Sequence, residues 1–278
     1  EKPLDLKPVV VAYTLTMASG SVTVISDGSF PADPRGAAFM DGYFITISNA
    51  TGTFYLSQLL DGTDWTPIQF ATAEYAGDVL YDVKRLGSQA YFFGSRTVEP
   101  WYNTGNPDFP LERVTGGTVD FGVGAIASVG EINGSAYFVG SSKTGLAAVY
   151  SIGAGGMRKL STPFIESYLS SYVEDVQGYC YNLDGHSFYE IHNATSGGSF
   201  ACDIESGAWI ERSPVGSTPT TFRPIINAYS QAGAAPYAFN SADGRVFDVQ
   251  ASYNSDAGTA ISRIRIFGPV ESNTKRVF

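Results

Sequence analysis

The residues best suited to chemistry in this chain are few, and their spacing does not assemble a reaction centre. The two histidines, His186 and His192, stand six residues apart at either end of one strand-like run. That spacing lacks the short interval and partner ligands of a zinc motif, so both read as structural or solvated. Three carboxylates, Asp82, Glu131 and Asp175, occupy comparable repeat positions. Acids on the inner strands of a repeat fold could serve a glycoside hydrolase, which keeps that class open as an alternative. The three share no motif, and acids at strand ends are commonly solvated. No GxSxG elbow, Walker loop or HExxH helix occurs. The glycine-rich run GAGGM (153–157) is too short to cradle a phosphate and reads as a hairpin turn. Arg263 and Arg265 alternate with Ile264 and Ile266, which puts both arginines on one side of a strand, as a solvated or salt-bridged face. The expectation is a protein with no catalytic residues, no metal and no cofactor.

The elements around these residues repeat. One aromatic strand motif occurs five times: DGYFITIS at 41–48, SQAYFFGS at 88–95, NGSAYFVGS at 133–141, DGHSFYEIH at 184–192 and AAPYAFNS at 234–241. Its aligned aromatics, Tyr43, Tyr91, Tyr137, Phe188 and Tyr237, are separated by 48, 46, 51 and 49 residues. A strand-filled period of this size points to an all-β β-propeller, because one small sheet cannot bury both of its faces alone. Repeats fall near 30–73, 77–116, 122–162, 172–213 and 222–250, within a single domain over 1–278. Asn133-Gly134, Asp184-Gly185 and Asp243-Gly244 supply the positive φ that tight hairpins need. Strand-like runs at 9–15, 21–26 and 261–267 flank the repeats. Residues 1–27 and 251–278 are therefore expected to form a closing sixth blade, or extensions, with five blades as the alternative. PFIESYLSSY (163–172) reads as a helix on the rim.

Composition narrows the function classes. Charged residues make up 16% of the chain, against about 25% in ordinary domains, and aromatics make up 14%. The net charge of −10 argues against a general DNA-binding surface. Two cysteines, Cys180 and Cys202, make no disulfide framework and are expected as reduced core thiols. No apolar run approaches the ~20 residues that span a bilayer, and no signal-peptide pattern opens the chain. The first residue is not Met, so the chain is read as an internal part of a longer product.

The densest unusual stretch is TVEPWYNTGNPDFPLERVTGG (97–117). It reads locally as a long, stiffened hairpin connection with an aromatic anchor. It also resembles the signature stretch of the phage packaged-DNA stabilisation proteins, the tail hub of short-tailed bacteriophages. FATAE (70–74), RKLSTPFIE (158–166), GHSFYEI, SGAWIERSP (206–214), GRVFDVQASYNSDAG (244–258) and SRIRIFGP (262–269) follow in the order of that family, so the resemblance covers about 39–278. Pro100 departs from it, as do residues 1–38, and the chain stops short of the family's C-terminal part.

The resemblance implies a non-enzymatic virion protein, assembled in the host cytoplasm and placed below the portal. Its ring, expected to be a hexamer, would meet the portal-adaptor protein above and a tail needle or fibre protein below. Packaged double-stranded DNA would pass through without specific binding. The expected interface residues are Trp101, Tyr102, Asn103, Asp108 and Phe109 in the connection, then Phe164 and Tyr168 on the helix. A carbohydrate-binding tail propeller is the other alternative, with exposed Trp and Tyr stacking sugars.

Overall fold

A computed structural model describes residues 12–73, 77–141, 147–193 and 198–212, with short stretches at 237–239, 246–248, 252, 255–256 and 259–260. An antiparallel hairpin comes first, β1 (Tyr13–Thr16) and β2 (Ser21–Val24). Four antiparallel sheets follow, each joined in chain order. The first holds β3 (Pro34–Met40), β4 (Tyr43–Ser48), β5 (Thr53–Gln58) and β6 (Asp61–Thr72). The second holds β7 (Leu80–Leu86), β8 (Gln89–Gly94), β9 (Val98–Asn103) and β10 (Leu111–Arg113). In the third, β11 (Gly122–Val123) and β12 (Gly130–Ile132) both pair with β13 (Ser135–Ser141), followed by β14 (Ala148–Gly153) and β15 (Gly156–Lys159). Helix α1 (Pro163–Tyr172) leads to the fourth, with β16 (Val176–Leu183), β17 (His186–Asn193), β18 (Ser199–Asp203) and β19 (Trp209–Arg212). A further hairpin, β20 (Tyr237–Phe239) with β21 (Val246–Asp248), lies in the fifth repeat. The rest of that repeat, Asp243-Gly244, Arg263, Arg265 and the 261–267 run lie outside the described residues.

A two-residue turn opens each sheet, of one kind in three of them. Asp41-Gly42, Asn133-Gly134 and Asp184-Gly185 all hold positive φ at both positions, and Gly87 does so ahead of Ser88. This two-residue geometry matches the twist of the strands it joins. In the third sheet the first strand is split into β11 and β12. Ser128 interrupts it: its hydroxyl accepts the Val139 N–H at 2.9 Å and donates to the Ala125 carbonyl at 2.7 Å. A side chain thus substitutes for one rung of the ladder.

Each second strand is apolar on both faces, and the alternation decides how the sheets stack. Phe92 of β8 joins Ile45, Ile47, Phe54 and Leu56 in a core between the first and second sheets. Its neighbours Tyr91 and Phe93 point the other way, to Phe138 and Tyr150 of the third sheet. Tyr137 and Val139 then face Tyr189 and Ile191 of the fourth. The first strands approach closely: a Cβ on Gly36 would fall 2.7 Å from Asp82 Oδ1, and one on Gly130 would fall 2.8 Å from Cys180 Sγ.

The far face of the fourth sheet is polar. Glu190, fully buried, accepts from Tyr181 Oη at 2.9 Å, Ser199 Oγ at 2.8 Å and Arg212 Nη1 at 2.9 Å. Cys180 and Cys202 are free and buried in the fourth sheet. Both pair with Tyr189 from opposite sides, so one strand separates them. Burial pushes the Cys202 thiol up to about 11 and Cys180 higher still.

A carboxylate ties each of the first two sheets together, half-buried in the first and buried in the second. Asp33, just before β3, accepts Ser48 Oγ at 3.1 Å on both oxygens. Asp78, just before β7, accepts the Thr97 N–H at 2.7 Å, the Arg96 N–H at 2.8 Å, the Thr97 hydroxyl at 3.0 Å and the Ser95 hydroxyl. Such charge-assisted bonds are among the stronger kind. Asp78→Ala is expected to cost about 3 kcal/mol by stranding buried donors, with Asp78→Asn recovering part of it. Urea denaturation of the two variants measures this. The thiols give a second test: both are expected to resist a thiol reagent in the native state and to react fully in denaturant.

Candidate functional site

The 97–117 connection is built by local hydrogen bonds. Asn103 Oδ1 accepts the Gly105 N–H at 2.8 Å, Asn106 Oδ1 accepts the Asp108 N–H at 3.0 Å, and Thr104 N and Oγ1 both donate to the Pro110 carbonyl. Side chains that mimic backbone turns hold the loop in one shape. Pro100 is tolerated in β9 because its missing donor falls on the outer edge, where β10 pairs only residues 101–103.

The structure divides the expected interface residues into two groups. Trp101 lies in the core between the first and second sheets. It is 9% exposed, and its ring lies edge-on to Phe54 at 5.0 Å and to Phe92 at 6.1 Å. Phe109 packs against the same cluster. Alternation along β9 turns the next residue outward: Tyr102 is 38% exposed and donates to Glu112 Oε2 at 3.2 Å. Asn103 reaches back to Asp41 Oδ2 at 3.1 Å, and Asp108 is exposed at the loop tip.

On the helix, Thr162 caps the N-terminus by accepting the Ile165 N–H, and Glu166 of the first turn pairs with Lys159 at 2.8 Å. Ile165 and Leu169 are fully buried against the third and fourth sheets. Tyr168 donates to the Gly198 carbonyl at 3.1 Å and meets Phe200 edge-on. Phe164 remains 65% exposed.

Of the three candidate acids, Asp82 is paired with Lys84 at 2.9 Å and accepts the Val83 N–H. Glu131 lines a cleft of about 490 Å³ with Ala37, Phe39, Lys84 and Arg85, between the first strands of three sheets. Desolvation raises its carboxyl above the usual range, against the pull of Lys84 and Arg85. Asp175 sits in the short 3-10 turn after α1. His192 is buried in the fourth sheet, whereas His186 is exposed beside Asp203 and Glu205. That trio is the group among the described residues able to hold a metal. Sequence reasoning missed it, because two turns 17 residues apart bring it together. It also missed the tip of the first sheet, where Leu59 and Leu60 are 56% and 75% exposed and Leu60 holds a φ of +61°. A bulky residue in that region is strained.

Four sheets of one repeated unit, stacked face to face through alternating aromatics, define a repeat protein of the propeller class. A family described as Bacteriophage P22 Gp10, beta-propeller, matches residues 10–206, and the chain belongs to it. It is a phage structural protein of the packaged-DNA stabilisation family and part of the virion. The match begins well before residue 39, where the resemblance in the sequence starts, and it ends at residue 206, inside the fourth repeat and ahead of β19. No curated protein sequence matches the chain.

Among solved structures, dihydro-heme d1 dehydrogenase NirN is similar at 13% identity and a TM-score of 0.50, over 91% of this chain and 52% of that one. Kuenenia stuttgartiensis hydrazine synthase is similar at 11% identity and a TM-score of 0.52, over 86% of this chain and 70% of that one. The chain thus spans about half the length of the first, and at these identities the likeness concerns the fold alone.

The two groups of aromatics separate in mutagenesis. Trp101→Ala is expected to destabilise the protein by about 3–5 kcal/mol through the cavity it leaves. Tyr102→Ala is expected to change stability by less than about 1 kcal/mol. Thermal and urea unfolding of the pair distinguish them.

Proposed function

We propose that the chain is a tail hub. In this reading it closes the portal-adaptor channel after packaging and joins it to the tail needle or fibres, retaining the DNA. The family membership carries the reading. The mechanism is steric and mechanical, without catalysis. Copies pack side by side into a closed ring, expected to be sixfold, between the portal-adaptor protein and the needle or fibre protein. The net charge of −10 disfavours adhesion of the passing duplex. Retention comes from the plug seated on the hub.

We further propose six blades, the last built from both chain ends. One comparison across the sheets supports closure. The second-strand residue that faces the preceding sheet is Phe92, Phe138 or Tyr189, each 0% exposed, but its counterpart Phe44 in the first sheet is 42% exposed. Phe39 packs on Phe44 at 4.8 Å and is equally uncovered. A groove of about 620 Å³ runs between this face and the β1–β2 hairpin. The hairpin carries Tyr13, Leu15, Val22 and Val24 on one exposed face and hydroxyl residues on the other. A two-stranded ribbon of that kind needs further strands to be stable. The sugar-binding alternative loses support: Trp65 and Trp101 are buried, and Trp209 donates to the Leu160 carbonyl at 3.0 Å.

Tyr102, Asn103, Asp108, Phe164 and Tyr168 are the proposed contact positions, with Trp101 and Phe109 supporting them from the core. The variant combining Tyr102→Ala and Phe164→Ala is expected to fold with nearly unchanged stability but to fail to join tails. Particles carrying it would then lose nuclease-protected DNA. Retention of full genomes by that variant would overturn the assignment of these contacts. Electron-microscopy reconstruction of the intact tail tests the hub itself, which is refuted if the density below the portal belongs to another protein.

A further inference from the structure

We propose that the fourth sheet carries a divalent transition-metal site formed by His186, Asp203 and Glu205, with zinc as the best-matched ion. The inference is independent of the tail-hub reading. His186 opens β17 directly after the Asp184-Gly185 turn, and Asp203 closes β18. The pairing of Phe188 with Asp203 sets the β16–β17 and β18–β19 turns at one edge of the sheet. Glu205 lies in the second of these turns, which Gly207 completes with a φ of +70°.

One ligand atom from each of the three side chains lies within 4.8 Å of the others. His186 Nδ1 and Asp203 Oδ2 are 3.2 Å apart. The remaining oxygens are fixed by main-chain donors. Asp203 Oδ1 accepts the Glu205 N–H at 3.0 Å and the Ser206 N–H at 3.2 Å, and Glu205 Oε2 accepts the Ser187 N–H at 3.0 Å. That leaves Asp203 Oδ2, which faces His186 Nδ1, and the second Glu205 oxygen as the atoms a cation would take.

Charge gives an argument separate from position. Two carboxylates converge on one imidazole, and among the described residues neither forms an ion pair with Lys or Arg. A bound dication would neutralise that pair. Imidazole with carboxylate oxygens suits zinc and its first-row neighbours, whereas calcium and magnesium favour all-oxygen sets. The side chain of His186 is 57% exposed, which leaves room for water to complete the shell. Ser187, whose N–H positions Glu205, also accepts Asn133 Nδ2 at 2.9 Å from the third sheet. Metal binding here would stiffen the seam between the third and fourth sheets.

Chelator-treated protein titrated with zinc in a calorimeter tests the site. One zinc per chain is expected, with a rise in thermal midpoint that calcium does not reproduce. H186A and E205Q change exposed side chains, and circular dichroism is expected to report an unaltered fold. Each should weaken zinc binding at least tenfold and abolish the thermal shift. Cobalt substitution gives a second readout, a visible absorption band present in the parent and lost in H186A. Absence of saturable zinc binding in the parent, or unchanged affinity in H186A, would overturn the proposal and leave a solvated histidine–carboxylate pair.

Discussion

Two-sided burial of the second strands is the constraint on which the structure depends. Phe92 faces one neighbour while Tyr91 and Phe93 face the other, and Phe138 stands between Tyr137 and Val139 in the same way. A strand patterned like this has no solvent side, so its sheet is unsatisfied until a partner covers each face. Full burial of one such aromatic contributes about 1.5–3 kcal/mol. Each sheet is thus the core of the next, and the stack has no independent unit smaller than two sheets.

Polar groups do a different job at the seams. Asp78 and Asp33 reach from the start of a sheet to the turn after its second strand, where an apolar contact could not fix direction. Glu190 and Arg212 make a paired charge inside the far face of the fourth sheet, with Tyr181 bonded to both. The residues aligned with Glu190 in the other sheets, Ile45, Phe93 and Val139, are apolar. Removing one member of such a pair leaves an uncompensated charge, so this face is specific about what may lie against it. The second sheet holds a comparable pair, Glu99 with Arg113 at 3.6 Å, on its face toward the first sheet.

Much of the fold was legible in the chain because it repeats. The Asp-Gly and Asn-Gly turns and the aligned tyrosines mark the same place in each sheet, and the Pro163 helix falls where its apolar spacing puts it. What escaped depends on contacts across the sequence. Trp101 reads as an anchor from its neighbours, and only the stacking of two sheets turns it inward while Tyr102 turns out. Ser128 breaks a strand that its apolar surroundings imply. The serine that closes the motif at Ser48 and Ser95 was visible in each copy, yet its aspartate partner lies 15 or 17 residues upstream. His186 offers one ligand by itself, and its two carboxylate neighbours arrive from another turn. Family membership was readable from ordinary words in order, a signal that needs no geometry.

The uncovered face of the first sheet has a consequence for biosynthesis. A ribosome releases the chain from its N-terminus, so Phe39 and Phe44 emerge before any later sheet exists. If residues near 251–278 complete the last blade, this surface stays sticky until they have been made. The nascent protein would then depend on crowding-resistant solubility during that interval, which its uncharged hairpin does little to provide and its acidic balance does more.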